Sequence, residues 1–543
     1  MDSSRRIFIK TAGIGGLGLG ILPVLNRLPG VPLFYKGFTG NLPRATPESQ
    51  GVSSKAISRF IADVNASGLA MHSFMLVRHG YVIAEGWWKP FEPAFKHTLF
   101  SLSKSFTSTA IGLLVKEGKL DIDAPILSFF PEDAPPSPNE NLKKMKVRHL
   151  LTMTTGHEED SSPAFFTSNQ PWTRSFLAQP VKFEPGTHFT YDTGATYMLG
   201  AVLYNITSEI LENYLAPRLF QPLNIEGWDW VTSPQGLNIG GYGLRVKTED
   251  IAKFGQLYLQ KGKWNGREIL TESWVADATG YQTPSQSDNG IDWEQGYGYQ
   301  FWRRRHDIYS GDGRYGQYCI VMPHQDAVLA VTGEMPGMQK PLDIIWDDLL
   351  PAMVAGTLAE NPADLTTLKK GLAALLLPFT KGSTHSSLSA KYSGRPFYLD
   401  KNDFGAKKLR FDFSREGCSL VTTTKGGKEI TLRFGWENWV MNAESQVYLF
   451  HPDSGLFMSP SKLAGSATWL GNDILRLDTR LVEAMGGDKI TCTFAEDKVS
   501  ISFLNSIGEK TIGYPDAPEK RMPLTGTMAA GKLSFLVLGS DSV

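Results

Sequence analysis

The chain has 543 residues, enough for two independent cores, and its 54 lysines and arginines nearly cancel 55 aspartates and glutamates to leave a net charge of −1. That balance removes the bulk attraction on which binding to nucleic acid or to an anionic membrane depends, so no nucleic-acid partner is expected. Three cysteines (Cys319, Cys418, Cys492) form no close pair and no metal-ligand spacing, and no His-Glu-x-x-His occurs, so neither metal nor cofactor is expected. All three read as small core residues; the sequence permits a bridge between Cys418 and Cys492 without supporting one.

The N-terminus carries an address. Arg5 and Arg6 lie in Ser4-Arg-Arg-Ile-Phe-Ile-Lys10, followed by an uncharged, glycine-rich apolar stretch at 11–25, the layout of a twin-arginine export signal. The stretch is short of the roughly 20 apolar residues of a comfortable span, so no stable membrane span is expected unless the signal stays uncleaved. The protein is expected to be periplasmic or extracellular, or anchored by that signal, with residues 1–40 as signal and N-terminal segment.

Apolar spacing predicts a helix over 57–69, then two strands over 74–84 turning at Gly80. A helix is predicted from Ser101 through Ala110, Leu113 and Leu114 until Gly118 stops it, another over 147–153, and a well-capped one over 248–260. Short β-rich runs follow at 299–303, 317–322 and 327–332, then a helix over 365–376 and a Gly-Ser-Thr-His-Ser-Ser linker at 382–387. Beyond it, runs at 409–413, 420–424, 429–434, 439–442, 447–450 and 489–493, with turns every ten residues or so, predict a small all-β domain. Two domains result, 41–378 and 388–543.

Chemistry is concentrated in Ser101-Leu102-Ser103-Lys104. Residues three apart on a helix share a face, so the Lys104 amine can sit beside the Ser101 hydroxyl and, once deprotonated, take its proton, with the positive end of the helix dipole behind the serine. A second proton carrier is then needed, and Tyr191, on a loop leading into an apolar helix at 195–199, is the best candidate. His79, His149 and His188 read as structural hydrogen-bonders. No Gly-x-Ser-x-Gly elbow occurs, which disfavours a Ser-His-Asp hydrolase. Trp87-Trp88 and the stretch from Trp293 to Trp302 are candidates for the wall of an apolar acyl pocket, core packing being their more common fate.

These motifs resemble the serine β-lactamase and penicillin-recognising superfamily, in particular its class C-like branch of esterases, D-amino-peptidases and 6-aminohexanoate-dimer hydrolases. Ser101-x-x-Lys104 is similar to the first family motif, Tyr191-Asp192-Thr193 stands in the place of Tyr-x-Asn, and 148–156, 241–244 and 254–258 follow in order. The resemblance covers about residues 47–353. It implies an α+β fold of the β-lactamase/transpeptidase type, an antiparallel sheet flanked by helices, followed by the all-β C-terminal domain. It also implies an acyl-enzyme on Ser101, with Lys104 and Tyr191 as general base and acid, and an oxyanion hole from the Ser101 and Arg314 amides. The third motif, Lys or His then x then Gly, corresponds to Gly311-Asp312-Gly313. Gly311 therefore stands where relatives carry a cation for a substrate carboxylate, and Thr193 replaces the usual Asn. With Thr193, Gly311, Asp312 and Gly313 as substrate-binding positions, the expected substrate is a small ester, amide or peptide. A slow-acylating penicillin-binding or sensor-like protein, or a D-amino-peptidase or β-lactamase, is the alternative.

Overall fold

Successive residues of a strand face opposite sides, and residues 73 and 74 show how the first sheet is covered on both. In the computed structural model, which describes residues 40–446, 460–506 and 522–528 (only the strand course at 443–446), β1 (Ala70–Arg78) and β2 (Tyr81–Trp87) form the predicted hairpin. His79 and Gly80 both adopt left-handed backbone (φ 49° and 78°), the paired geometry that a two-residue turn between right-twisted strands requires. Phe74 meets Phe60 of α1 (Ser54–Ala66) edge-on at 5.4 Å on one face. Ser73 hydrogen-bonds Thr248 at 2.7 Å on the other, where the helix at 248–259 lies.

The helices that build the site are α2 (Ser103–Lys116), entered through a 3₁₀ turn at Phe100–Leu102, α3 (Thr193–Thr207) and α4 (Thr248–Leu259). The sheet is completed by β3 (Trp302–Arg303), β4 (Tyr309–Gly313), β5 (Gln317–Met322) and β6 (Ala327–Glu334), in the order β2-β1-β6-β5-β4-β3, every neighbour antiparallel. One expectation changes here, and one strand is unanticipated. Of 299–303 only the last two residues pair as strand, because the Tyr299 amide is drawn to the Ala278 carbonyl instead. Tyr309–Gly313, whose Tyr-Ser-Gly-Asp-Gly composition reads as a turn, is a fully buried strand.

After α5 (Pro362–Ala373) the chain enters an all-β domain. Among the described residues its strands are β7 (Pro396–Leu399), β8 (Ala406–Phe413), β9 (Gly417–Thr424), β10 (Glu429–Trp436), β11 (Val440–Gln446), β12 (Ser461–Trp469), β13 (Ile474–Leu481), β14 (Asp488–Ala495), β15 (Lys498–Asn505) and β16 (Leu524–Met528). They run in the order β10-β9-β8-β7-β16-β15-β14-β13-β12-β11. The sheet closes into a barrel where Gly435 and Trp436 pair in parallel with Ser466 and Ala467. Closure removes the exposed edges that an open sheet of this size would present. The barrel has its own core around Leu409, Phe411, Leu475, Ile490 and Cys492, while Ala464 and Val482 are buried in the core of the first sheet and its helices.

The Gly-Ser-Thr-His-Ser-Ser segment is not a free linker: Ser383 exchanges two backbone hydrogen bonds with Trp469, at 2.8 and 2.9 Å, and Ser386 is buried against the barrel. Residues 1–39, which carry the expected export signal, and the strand expected at 447–450 lie outside the described residues. Among the described residues no helix is long and apolar enough to cross a membrane.

Cys418 and Cys492 are free thiols, as is Cys319; all are buried, and burial pushes each thiol well above its ordinary pKa and keeps it protonated. Native protein should therefore take up no iodoacetamide, and denatured protein three equivalents whether or not it is first reduced; a lower count without reductant would reveal a bridge.

Candidate active site

Every residue from Ser103 to Leu114 of α2 is buried, although the run carries five hydroxyl groups and a lysine. Burying such groups is tolerable only if each finds a partner. Ser103 accepts from the Leu244 amide (3.2 Å), Ser105 donates to the Gln300 carbonyl (2.8 Å), Thr107 to Gly240 (3.0 Å), and Thr109 pairs with the Tyr258 hydroxyl (2.7 Å). Four of the five hydroxyls are thereby wired to their surroundings, Ser108 Oγ alone being buried without a partner, and Ser101 sits half-buried at the head of the helix.

Lys104 is 1 % exposed. Its Nζ donates to Ser101 Oγ (3.1 Å), to Thr193 Oγ1 (3.3 Å) and to the Gly241 carbonyl (2.9 Å). Burial lowers its pKa from 10.5 to about 8, against the opposing pull of Asp160 and Asp192. Tyr191 brings its hydroxyl to the Ser101 side chain, and its ring lies 4.9 Å from Lys104 Nζ. Burial raises the Tyr191 phenol well above its ordinary value, with the Ser101 hydrogen bond opposing, so the group stays protonated.

The Tyr191 side chain is held by stacking on Trp302 (centroids 5.5 Å, planes 19° apart), which Tyr297 meets edge-on at 4.7 Å. The next residue, Asp192, caps α3: one carboxylate oxygen accepts from the Gly194 and Ala195 amides and from Ser161, and the other from His157 Nδ1 at 3.0 Å. Burial alone would raise this carboxyl; the His157 and Ser161 bonds outweigh it and hold it below its ordinary value. Thr193, expected to touch substrate, faces Lys104.

The third-motif positions lie on β4. A Cβ at Gly311 would stand 2.5 Å from both Leu102 Cδ1 and Ser105 Oγ, and one at Gly313 would stand 1.9 Å from the Leu99 carbonyl oxygen, so the strand packs directly on the backbone that precedes Ser101. The cation position of the motif is thus filled by α2 itself. Asp312 is 6 % exposed, and its carboxylate is taken by Arg304, by Trp293 Nε1 (2.9 Å) and by Ser310 (2.7 Å). It braces the strand from behind. Arg314 is half-buried on the turn after β4, its guanidinium over the Tyr315 ring, and Tyr315 meets Phe100 edge-on at 5.8 Å. The turn that follows Gly313 therefore borders the residues around Ser101.

Other expected positions fall elsewhere. Trp88 is buried with its Nε1 on Asn65. His188 is exposed against Phe183, His149 accepts from the Lys146 amide within its own turn, and His79 meets Gln50. Three groups had gone unread: the Gly241 carbonyl, the His157–Asp192 pair, and Asp160, which accepts from the Thr193 amide at 3.0 Å and whose pKa is raised by burial and by Asp192. Gly241 and Asp192 fall within matched motifs that give no hint of these contacts, and Asp160 is signalled only by the turn-forming Asp160-Ser161-Ser162 cluster.

A serine beside a buried lysine, on a helix covered by an antiparallel sheet, is an arrangement suited to a serine hydrolase. The family model described as Beta-lactamase matches residues 55–341, just over half of the chain, and the protein belongs to that family of serine hydrolases. Among curated relatives, 6-aminohexanoate-dimer hydrolase of Paenarthrobacter ureafaciens is 24% identical over 317 residues, 54% of this chain and 80% of that protein. A β-lactamase of Yersinia enterocolitica is 22% identical over 227 residues, 37% of this chain and 57% of that protein, so the match spans little more than half of its length. Among solved structures, EstCE1, a hydrolase with promiscuous acyltransferase activity, aligns with TM-score 0.47 and 18% identity, covering 55% of this chain and 99% of its own.

The two β4 glycines should differ in tolerance. Gly311→Ala presses on the ends of two side chains, Gly313→Ala on a backbone carbonyl. We expect Gly311→Ala to keep kcat/KM within about threefold and Gly313→Ala to lower it more than about tenfold, the scale on which small misplacements act; equal effects would show that contact with the Leu99 carbonyl is unimportant.

Proposed function

We propose that this protein is an exported serine hydrolase that cleaves small ester or amide bonds through an acyl-enzyme on Ser101. The observation that carries the reading is the Lys104 amine, buried, 3.1 Å from Ser101 Oγ and with its pKa lowered to about 8. Neutral Lys104 takes the Ser101 proton as Oγ attacks the substrate carbonyl. Tyr191, kept protonated by burial, gives its proton to the departing oxygen or nitrogen and is reprotonated by the Lys104 ammonium. Water then attacks the acyl-enzyme, with Lys104 again taking the proton, and Ser101 is regenerated.

The oxyanion is assigned to the Ser101 and Arg314 amides, a reading supported by the packing of Gly313 on Leu99 and of Tyr315 on Phe100. Donors of this kind are worth roughly 3–4 kcal/mol each. Gly311 supplies no cation for a substrate carboxylate, and α2 leaves no room for one, which favours esters and amides without that group over β-lactams. Tyr297 and Trp302 pack as buried core behind Tyr191 and hold its ring. Export rests on the Arg5-Arg6 pair and its apolar sequel.

Ser101→Ala should abolish labelling by a fluorophosphonate; labelling that survives would remove Ser101 from the mechanism. Because neutral Lys104 is the active form, kcat/KM for p-nitrophenyl acetate should rise with pH and level off above about 8. Lys104→Arg, which cannot deprotonate, should lose at least about 100-fold, as expected when a general base is removed. A flat profile from mildly acidic to mildly alkaline pH would exclude Lys104 as the base. Nitrocefin should be hydrolysed far more slowly than the ester; comparable rates would contradict the argument from Gly311, and stable labelling by penicillin without turnover, which means slow release of the acyl-enzyme, would point to the penicillin-binding or sensor-like alternative.

A further inference from the structure

Among the contacts that the barrel makes with the rest of the molecule, two lead to the backbone around Ser101. The first is Glu334, the last residue of β6. It is 1 % exposed, and its Oε2 accepts from the Gly486 amide (3.0 Å), in the hairpin that joins β13 to β14. Its other oxygen is buried without a partner. The next amide, of Met335, donates to the Tyr315 carbonyl at 2.9 Å, and the Met335 side chain fills the space above Gly316, where a Cβ would stand 2.4 Å from Cε. Glu334 is thus one residue from the clasp on the turn that carries Arg314.

The second contact is Arg245, in the strand Leu244–Val246, whose Nη1 donates to the Pro460 carbonyl at 3.0 Å, at the start of β12. Its neighbour Leu244 accepts from the Leu99 amide (2.9 Å) and donates to Ser103 Oγ (3.2 Å), on either side of Ser101. Around these contacts Lys462 pairs with Glu483 at 3.0 Å and the Glu483 amide donates to Ser461 within the barrel, while the Lys462 amine lies over the Phe95 ring and Val482 is buried in the core of the other domain.

We propose that the C-terminal barrel is a working part of the hydrolase, clamping the two backbone segments that carry the Ser101 and Arg314 amides, with Glu334 as the positioning residue. The proposal rests on Ser101 being the nucleophile. A carboxylate buried with one oxygen unpartnered is a costly way to hold a hairpin. A clamp of this kind acts on the geometry of the oxyanion donors and so on kcat; it makes no contact with substrate and leaves KM alone.

The test uses the full chain. Glu334→Ala removes the acceptor of the Gly486 amide, whereas Glu334→Gln keeps one. We expect Glu334→Ala to lower kcat for p-nitrophenyl acetate by about tenfold with KM within about twofold, to slow fluorophosphonate inactivation in parallel, and Glu334→Gln to restore both. Should Glu334→Ala fail to fold, Val482→Ala, on the barrel side of the same contact, is judged by the same split. Unchanged kcat, or a rise in KM at constant kcat, would overturn the clamp, the latter placing the hairpin in the substrate pocket. A wild-type protein that is not labelled at Ser101 would overturn the underlying reading as well, whereas a labelled, active wild type with an unaffected Glu334→Ala overturns the clamp alone.

Discussion

Burying the Lys104 amine is the constraint to which the rest of the site answers. A drop in pKa from 10.5 to about 8 corresponds to roughly 3 kcal/mol against the charged form, a sizeable fraction of the stability of an ordinary domain. A carboxylate in direct contact would offset that cost and, by the same act, hold the lysine charged and useless as a base. Ser101, Thr193 and the Gly241 carbonyl solve the problem differently. Three neutral acceptors meet the three N–H bonds of an ammonium, so no donor is stranded, while the field at the nitrogen stays weak enough for the proton to leave. Among the described residues no carboxylate lies within ion-pair distance of Lys104; Asp160 and Asp192 act only from farther off.

The same economy explains Tyr191-Asp192-Thr193, in which consecutive residues have unlike surroundings. Strand-like backbone before α3 sends the tyrosine toward Ser101, turns Asp192 back onto the free amides of the helix, and points the threonine at the lysine. The second oxygen of the Asp192 carboxylate, which a hydroxyl cap would lack, meets the buried His157, which also lies 3.3 Å from the Thr155 hydroxyl. The loop at 153–161 and the helix α3 are therefore fixed to one another through the residue next to Tyr191. Changes at Asp192 would reach the chemistry through Tyr191 without touching substrate.

Elements with one apolar face were legible in the sequence, and the hairpin at Gly80, α2 and α4 fall where their periodicity puts them, apart from a residue or a few at their ends. The closeness of Ser101 and Lys104 could be read because residues three apart share a helix face, whereas Tyr191 is singled out by the resemblance. Three things could not be read, each for a physical reason. Periodicity marks Ala110, Leu113 and Leu114 on α2 but not that Ser103, Ser105, Thr107 and Thr109 are buried too, since their partners come from residues 130 to 200 positions away. The strand Tyr309–Gly313 is spelled like a turn, and becomes a strand because its glycines let it lie on Leu99 and Leu102 while Arg304 meets its aspartate. The linker at 382–387 has the composition of a flexible segment, but backbone pairing with Trp469 depends on no side chain and leaves no trace in composition.

Backbone strain at the site adds a final step. Phe100, immediately before Ser101, and Tyr315, immediately after Arg314, are both non-glycine residues in left-handed conformation, at φ 46° and 65°. Such residues cost on the order of 1–3 kcal/mol each and persist only where their surroundings over-determine them. Their rings meet edge-on at 5.8 Å, so each helps to hold the other, and the Met335 amide fixes the carbonyl of Tyr315. The two amides assigned to the oxyanion thus adjoin two strained residues whose packing is mutual. Relaxing either backbone would break a contact that the other needs, so Phe100 and Tyr315 hold each other's conformation. A glycine at 100 or 315 would relieve the strain and surrender that mutual hold, so the aromatic residues are better understood as part of the donor geometry than as lining that happens to lie nearby.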